Sequence, residues 1–167
     1  MSVLAERLEN MRVRVHVPGA GLEGELRGRT GVRISFEPGT YEFRTERDLE
    51  RHLASLARLL WAGRMKEYYA ALSEALGEQI SGESPPISLR DQEYDGARDA
   101  LVAEGRSADG RIYVSVRGMR DWTVRIAENT VRTLREDQFV AAVGEAAAAL
   151  IQDQFAKIRR LKDEIYA

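Results

Sequence analysis

The chain has no cysteine, which excludes a disulfide framework, a thiol nucleophile and a thiolate metal site. It has two histidines, His16 and His52, and neither stands at a metal-ligand spacing from an Asp or Glu. His16 reads as an exposed strand residue and His52 as a polar position on a helix face. No apolar run reaches the ~20 residues needed to cross a bilayer. Met1–Asn10 is charged and lacks the apolar core of a signal peptide, so the expectation is a cytoplasmic protein with no membrane partner. Lysine is scarce and nearly every basic residue is arginine, as in a GC-rich bacterial genome. Pro18-Gly19-Ala20-Gly21 is glycine-rich, but no Lys-Ser/Thr follows and no helix begins there. It reads as a turn and not as a phosphate loop. Glu67, Glu74, Asp153 and Glu164 are scattered helix charges, expected to be solvated rather than paired as acid and base. No catalytic residue, cofactor site or metal site is predicted.

What remains is patterning. A chain of 167 residues with 44% hydrophobic and 31% charged content suits one globular domain, or two small halves sharing a core. Ser2–Asn10 is predicted to be a short helix, and Arg12–Val17 alternates strictly, with valines inward and Arg12, Arg14 and His16 outward. Leu22–Gly28 and Val32–Glu37 read as an antiparallel pair, and Tyr41–Phe43 as a short further strand. Thr45 with Asp48 forms an N-cap signal, and the helix that follows runs to Leu76 and stops at Gly77. Gly77–Arg90 contains Pro85-Pro86 and reads as a linker. Asp91–Glu104 is predicted to be a helix, Arg111–Arg117 and Trp122–Ala127 strands, and Thr133 with Glu136 the cap of a second long helix. Trp61, Tyr68, Tyr69 and Trp122 sit at core spacing and are expected to pack inside.

A shift of 90 residues superposes the apolar positions of the two long segments. Leu22, Leu26, Val32, Ile34 and Phe36 fall on Ile112, Val116, Trp122, Val124 and Ile126, and Leu49, Leu53, Leu56 and Leu60 fall on Phe139, Val143, Ala146 and Leu150. Arg27-Gly28 falls on Arg117-Gly118. Self-similarity at a fixed spacing points to duplication. The expected fold is therefore α+β: two pseudo-symmetric strand-strand-helix halves, residues 1–76 and 91–167, joined by a linker over 77–90. The long amphipathic helices would pack along each other or project as a pair. No counterpart of the Arg12–Val17 strand is predicted in the second half.

Charge is segregated. Met11–Arg47 has seven Arg against five Glu and Arg106–Arg135 has seven Arg against three acids, so these stretches are net +2 and +4 while the rest carries −8 in a chain of net charge −2. Arg12, Arg14, Arg27, Arg33, Arg111, Arg117 and Arg125 are predicted to stand on outer sheet faces, with Tyr113 among them. The planar guanidinium fork suits phosphate, so such a face could read a nucleic-acid backbone independently of sequence. The competing expectation is a solvated face on which Glu23, Glu25 and Glu37 pair with the arginines.

The run Ser107-Ala108-Asp109-Gly110 into Ile112-Tyr113-Val114-Ser115-Val116-Arg117-Gly118, then Val124-Arg125-Ile126 and the Ala-rich helix Phe139–Lys162, resembles the YbaB/EbfC family of small bacterial nucleoid-associated proteins. The likeness spans Asp91–Ala167, with a fainter match in the first half. It implies a small antiparallel sheet with projecting helices, homodimers, a nucleoid location and DNA as partner. A chain with two copies would be a covalent pseudo-dimer. The alternative expectation is a protein-interaction module, in the manner of secretion chaperones that hold a client polypeptide along a sheet edge or helix groove.

Overall fold

A computed structural model describes residues 2–167. The protein is α+β. Helix α1 (Val3–Glu9) leads into strands β1 (Arg12–Val17), β2 (Leu22–Arg27) and β3 (Gly31–Phe36), then a 3-10 turn at Tyr41–Phe43 and helix α2 (Glu46–Leu76). Helix α3 (Leu89–Ala100) opens a second series, with β4 (Val102–Arg106), β5 (Ile112–Arg117), β6 (Asp121–Ile126), the short α4 (Thr130–Thr133) and the long α5 (Glu136–Tyr166). The strands form two antiparallel three-stranded sheets, ordered β1-β2-β3 and β4-β5-β6. The bounds of β5, β6 and α5 lie 90 residues beyond those of β2, β3 and α2.

Four expectations are corrected. Val102–Arg106 is a strand, in the place where none was predicted, and the preceding helix ends at Ala100. The strand is held by tertiary contacts: the Glu104 N–H donates to Asp153 Oδ2 on α5 (2.9 Å), and Lys157 Nζ donates to the Val102 carbonyl (2.8 Å). Asp153 is thus a structural acceptor and not a free helix charge. Tyr41–Phe43 is a 3-10 turn because it closes onto Thr40 and Arg44 and finds no strand to pair with. Thr133 ends α4 instead of capping α5; the Arg135 N–H donates to Gln138 Oε1 at the start of that helix (2.8 Å). The first long helix does begin at Thr45, whose hydroxyl accepts from the Asp48 N–H, and ends at Gly77 in the left-handed region.

The fourth correction concerns one of the two arrangements expected of the long helices, packing along each other: their main packing partners are strands. Helix α2 lies on β1, β2 and β6, and α5 on β3, β4 and β5. Each therefore crosses onto an edge strand of the other series. At its start, α5 inserts Phe139 between Phe36 and Tyr41, with ring centroids 6.0 and 5.1 Å away. The Tyr41 hydroxyl donates to the Leu134 carbonyl (2.9 Å). Reciprocally, α2 carries Glu50 and Glu46, which accept from the Ile126 and Val131 N–H groups (2.9 and 3.2 Å). Leu49, Leu53, Leu56, Ile112, Ile126, Phe139 and Ala146 belong to one apolar core drawn from both series. Burial of a side chain such as Phe139 contributes roughly 1.5–3 kcal/mol.

The two Arg-Gly pairs mark equivalent turns. Gly28 and Gly118 have φ of +60° and +59°, and a Cβ at Gly118 would lie 2.5 Å from the Asp99 carbonyl oxygen. A left-handed conformation under a helix end admits only glycine at modest cost.

Candidate binding cleft and arginine faces

Burial along the two long helices is uneven. Except for Ala71, the buried residues of α2 stop at Leu60, and those of α5 stop at Leu150. Beyond those points the apolar stripes continue but are only half-buried, with α1 against α2 and α3 against α5. The result is a cleft of about 1120 Å³ between the helices, floored by β2–β3 and β5–β6. Its walls include Trp61, Met65, Tyr68, Leu72, Ile151 and Phe155, and Trp122 rises from the floor. Trp61, Tyr68, Tyr69 and Trp122 are half-buried; Tyr68 and Trp122 pack against the core, as expected, and all four also line the cleft. Helical spacing is the same for a wall and for a core; only how far an opposing element covers the residue separates them.

The lining also includes four acids, Glu78, Glu83, Asp95 and Asp99, and three arginines besides Arg64; three other polar groups stand among the apolar side chains. Arg64 is half-buried, and its only hydrogen bond among the described residues goes to the Gly28 carbonyl (3.1 Å). Burial, reinforced by the charge of Arg29, pulls its guanidinium below its ordinary pKa. Trp122 Nε1 and Gln154 Oε1 are buried without a hydrogen-bond partner. Gln154 lies 90 residues after Arg64, at the same place in its helix. Trp122 was named from the sequence only as a packing residue, and Arg64 and Gln154 were not singled out. The available signal was a polar residue inside an apolar stripe, as Arg64 lies between Trp61 and Tyr68.

The arginines divide into two groups. On the first sheet, Glu25 is the hub: it binds Arg12, Arg27 (2.5 Å) and Arg14 (3.4 Å), and Arg14 also reaches Glu23 (3.1 Å). The Arg12 guanidinium hydrogen-bonded to Glu25 holds its carboxyl below the usual glutamate range. The register makes this inevitable, since Glu25 stands between Arg14 on β1 and Arg33 on β3. Arg33 is exposed on the same face. On the second sheet Arg111 is half-buried, with Asp109 4.0 Å away. Arg117 and Arg125 are exposed and have no ion pair among the described residues. Arg106, on the unforeseen strand, stacks over Tyr113 with its guanidinium carbon 4.9 Å from the ring centre, and the Tyr113 hydroxyl donates to Glu104 (2.7 Å). Arg106, Tyr113 and Arg125 share one row across the sheet. His16 is exposed opposite Glu23, and burial lowers the pKa of His52.

Compared with protein-family models, with curated proteins and with solved structures, the chain matches none. Its chemistry is therefore read from its own geometry. Among the described residues, no group of three or more His, Cys, Asp or Glu could hold a metal ion, and no helix is long and apolar enough to cross a membrane.

Proposed function

We propose that this protein is a non-enzymatic interaction module that takes a segment of a client polypeptide into the cleft between α2 and α5. The observation that carries the reading is the pair of half-buried apolar stripes on the second halves of both long helices, which line one cleft of large volume. Exposed apolar surface of this extent marks a binding site. Past the buried Leu60 the lining of α2 runs from Trp61 to Leu76, about 22 Å at ~1.5 Å per residue, a length suited to a short helix laid in a groove. The test is a selection from a random peptide display library with segments of about 16 residues, roughly 24 Å as a helix. Peptides should be enriched on the native chain and lost when Ala147→Trp fills the cleft. No enrichment, or enrichment that ignores the filled cleft, removes the reading.

The architecture is read as a covalent pseudo-dimer of YbaB/EbfC-like halves. The 90-residue offset of element bounds supports this, and so does β4, which supplies the strand missing from the sequence reading. DNA binding of the kind implied by that resemblance is the second reading. What favours it is the row Arg106, Tyr113 and Arg125 with Arg117 beside it, where cations and an aromatic ring face solvent. What weighs against it is Glu25, which neutralises the arginines of the other sheet. A mobility-shift assay at low salt tests it: Arg117→Ala with Arg125→Ala should abolish any shift.

A further inference from the structure

We infer that Arg64 selects the client: the cleft is built for a segment that brings a carboxylate side chain down to this guanidinium while its apolar residues cover the walls. The inference rests on the reading of the cleft as a client site and adds the chemistry of the occupant. The other charges in the lining are engaged or exposed: Glu83, Asp95 and Asp99 pair with Arg98, and Glu78 faces solvent. Arg98 is tied to Glu83 (2.7 Å) and Asp95 (3.6 Å), and Arg29 faces Glu9 (3.8 Å). Arg120 is exposed to solvent at the β5–β6 turn. Arg64 alone is half-buried among apolar side chains with no carboxylate partner among the described residues, and its one acceptor, the Gly28 carbonyl, leaves most of the fork unused.

A guanidinium drawn partly out of water beside a second cation is unfavourable until an anion meets it. An Asp or Glu side chain would accept two parallel hydrogen bonds from the fork. Trp122 Nε1 and Gln154 Oε1 belong to the same lining and are buried without a partner among the described residues, a state in which polar atoms are seldom left. The cleft is flanked by two helices of 31 residues each, which favours a polymer segment over a compact small molecule.

The peptide selection gives the test. Enriched sequences should place one Asp or Glu at a fixed position among apolar residues spaced three and four apart. Changing that acid to its amide in the strongest peptide should weaken binding roughly ten- to hundred-fold on the native chain and hardly at all on Arg64→Leu. Repeating the selection on Arg64→Glu should replace the acid by Lys or Arg. The peptide amide on the native chain needs no altered protein, so the proposal stays testable if an Arg64 variant misfolds. Cleft-dependent peptides with no fixed acid, or an equal loss on Arg64→Leu, overturn the role of Arg64 and leave the cleft reading standing. No cleft-dependent peptide at all overturns both.

Discussion

Gly105 on β4 lies against the backbone of α5 at Ala146, so that a Cβ at this position would overlap the Ala146 carbonyl oxygen and the Leu150 nitrogen. The close approach is what lets Asp153 and Lys157 reach the edge of β4. Gly105→Ala should force the helix and strand apart, and a loss of ~1–3 kcal/mol, the range for overpacked cores, is expected from denaturant titration. Gly96, in α3, has open space around its Cα, and Gly96→Ala should instead be neutral or stabilise by up to ~1 kcal/mol. Equal effects at the two positions would refute the packing argument for Gly105.

The contrast between β4 and the other strands shows what the sequence carried. β1, β2, β5 and β6 alternate apolar and polar residues, and that period is enough to define them. Val102-Ala103-Glu104-Gly105-Arg106 has a single β-branched residue beside an alanine, a glutamate and a glycine, a weak local signal for a strand. It becomes a strand because β5 pairs with it and α5 closes over it, which are long-range facts. Neutralisation of the arginines by Glu23, Glu25 and Glu37 was legible only as one of two alternatives: Arg14 and Glu25 are eleven residues apart, and the hairpin register sets them side by side. The cleft was least legible, since Trp61 and Tyr68 satisfy the same periodicity whether or not another element covers them.

Tyr41 should make the fold sensitive to alkali. Its hydroxyl is buried against Phe139 and donates to Leu134, and burial, with the charge of Glu46, pushes its pKa up to about 12. The unfolded chain releases this proton near its ordinary value of 10.0, so the stability it provides is complete below that pH and is lost as the pH rises toward 12. Denaturation midpoints measured across this range should fall. In Tyr41→Phe the fall should be shallower, at a cost of ~1 kcal/mol near neutral pH for the lost hydrogen bond. An identical alkaline slope in the variant would show that another group is responsible.

Glu25 sets how much positive charge the first sheet presents. Glu25→Gln removes the common partner of Arg12, Arg14 and Arg27 and should strengthen association with DNA at low salt, with a steeper dependence on salt concentration. Fluorescence anisotropy with a labelled duplex reads both quantities. The stability cost should be small, because the pairs face solvent. Any contribution they make is present above the ordinary glutamate range and is lost as the pH falls below it, since the carboxyl is held low in the fold. Unchanged DNA affinity would mean that the first sheet is not a latent phosphate surface.

The shared core predicts the outcome of cutting the chain. Residues 81–90 are exposed throughout, and Gly82 has open space around it. A protease site placed there should be cleaved without loss of helical signal, because no core residue lies in the segment. The two products should remain together on size exclusion. Phe139 of one fragment sits against Phe36 and Tyr41 of the other, and Glu50 and Glu46 accept from the Ile126 and Val131 N–H groups across the same boundary. Each fragment expressed alone would expose this surface, including Leu49 or Phe139, both fully buried in the intact chain. Neither should therefore persist as a folded monomer, and mixing the two should restore a cooperative melt. A single fragment that melts cooperatively as a monomer would show that the halves are independent domains and that their interlocking contributes little.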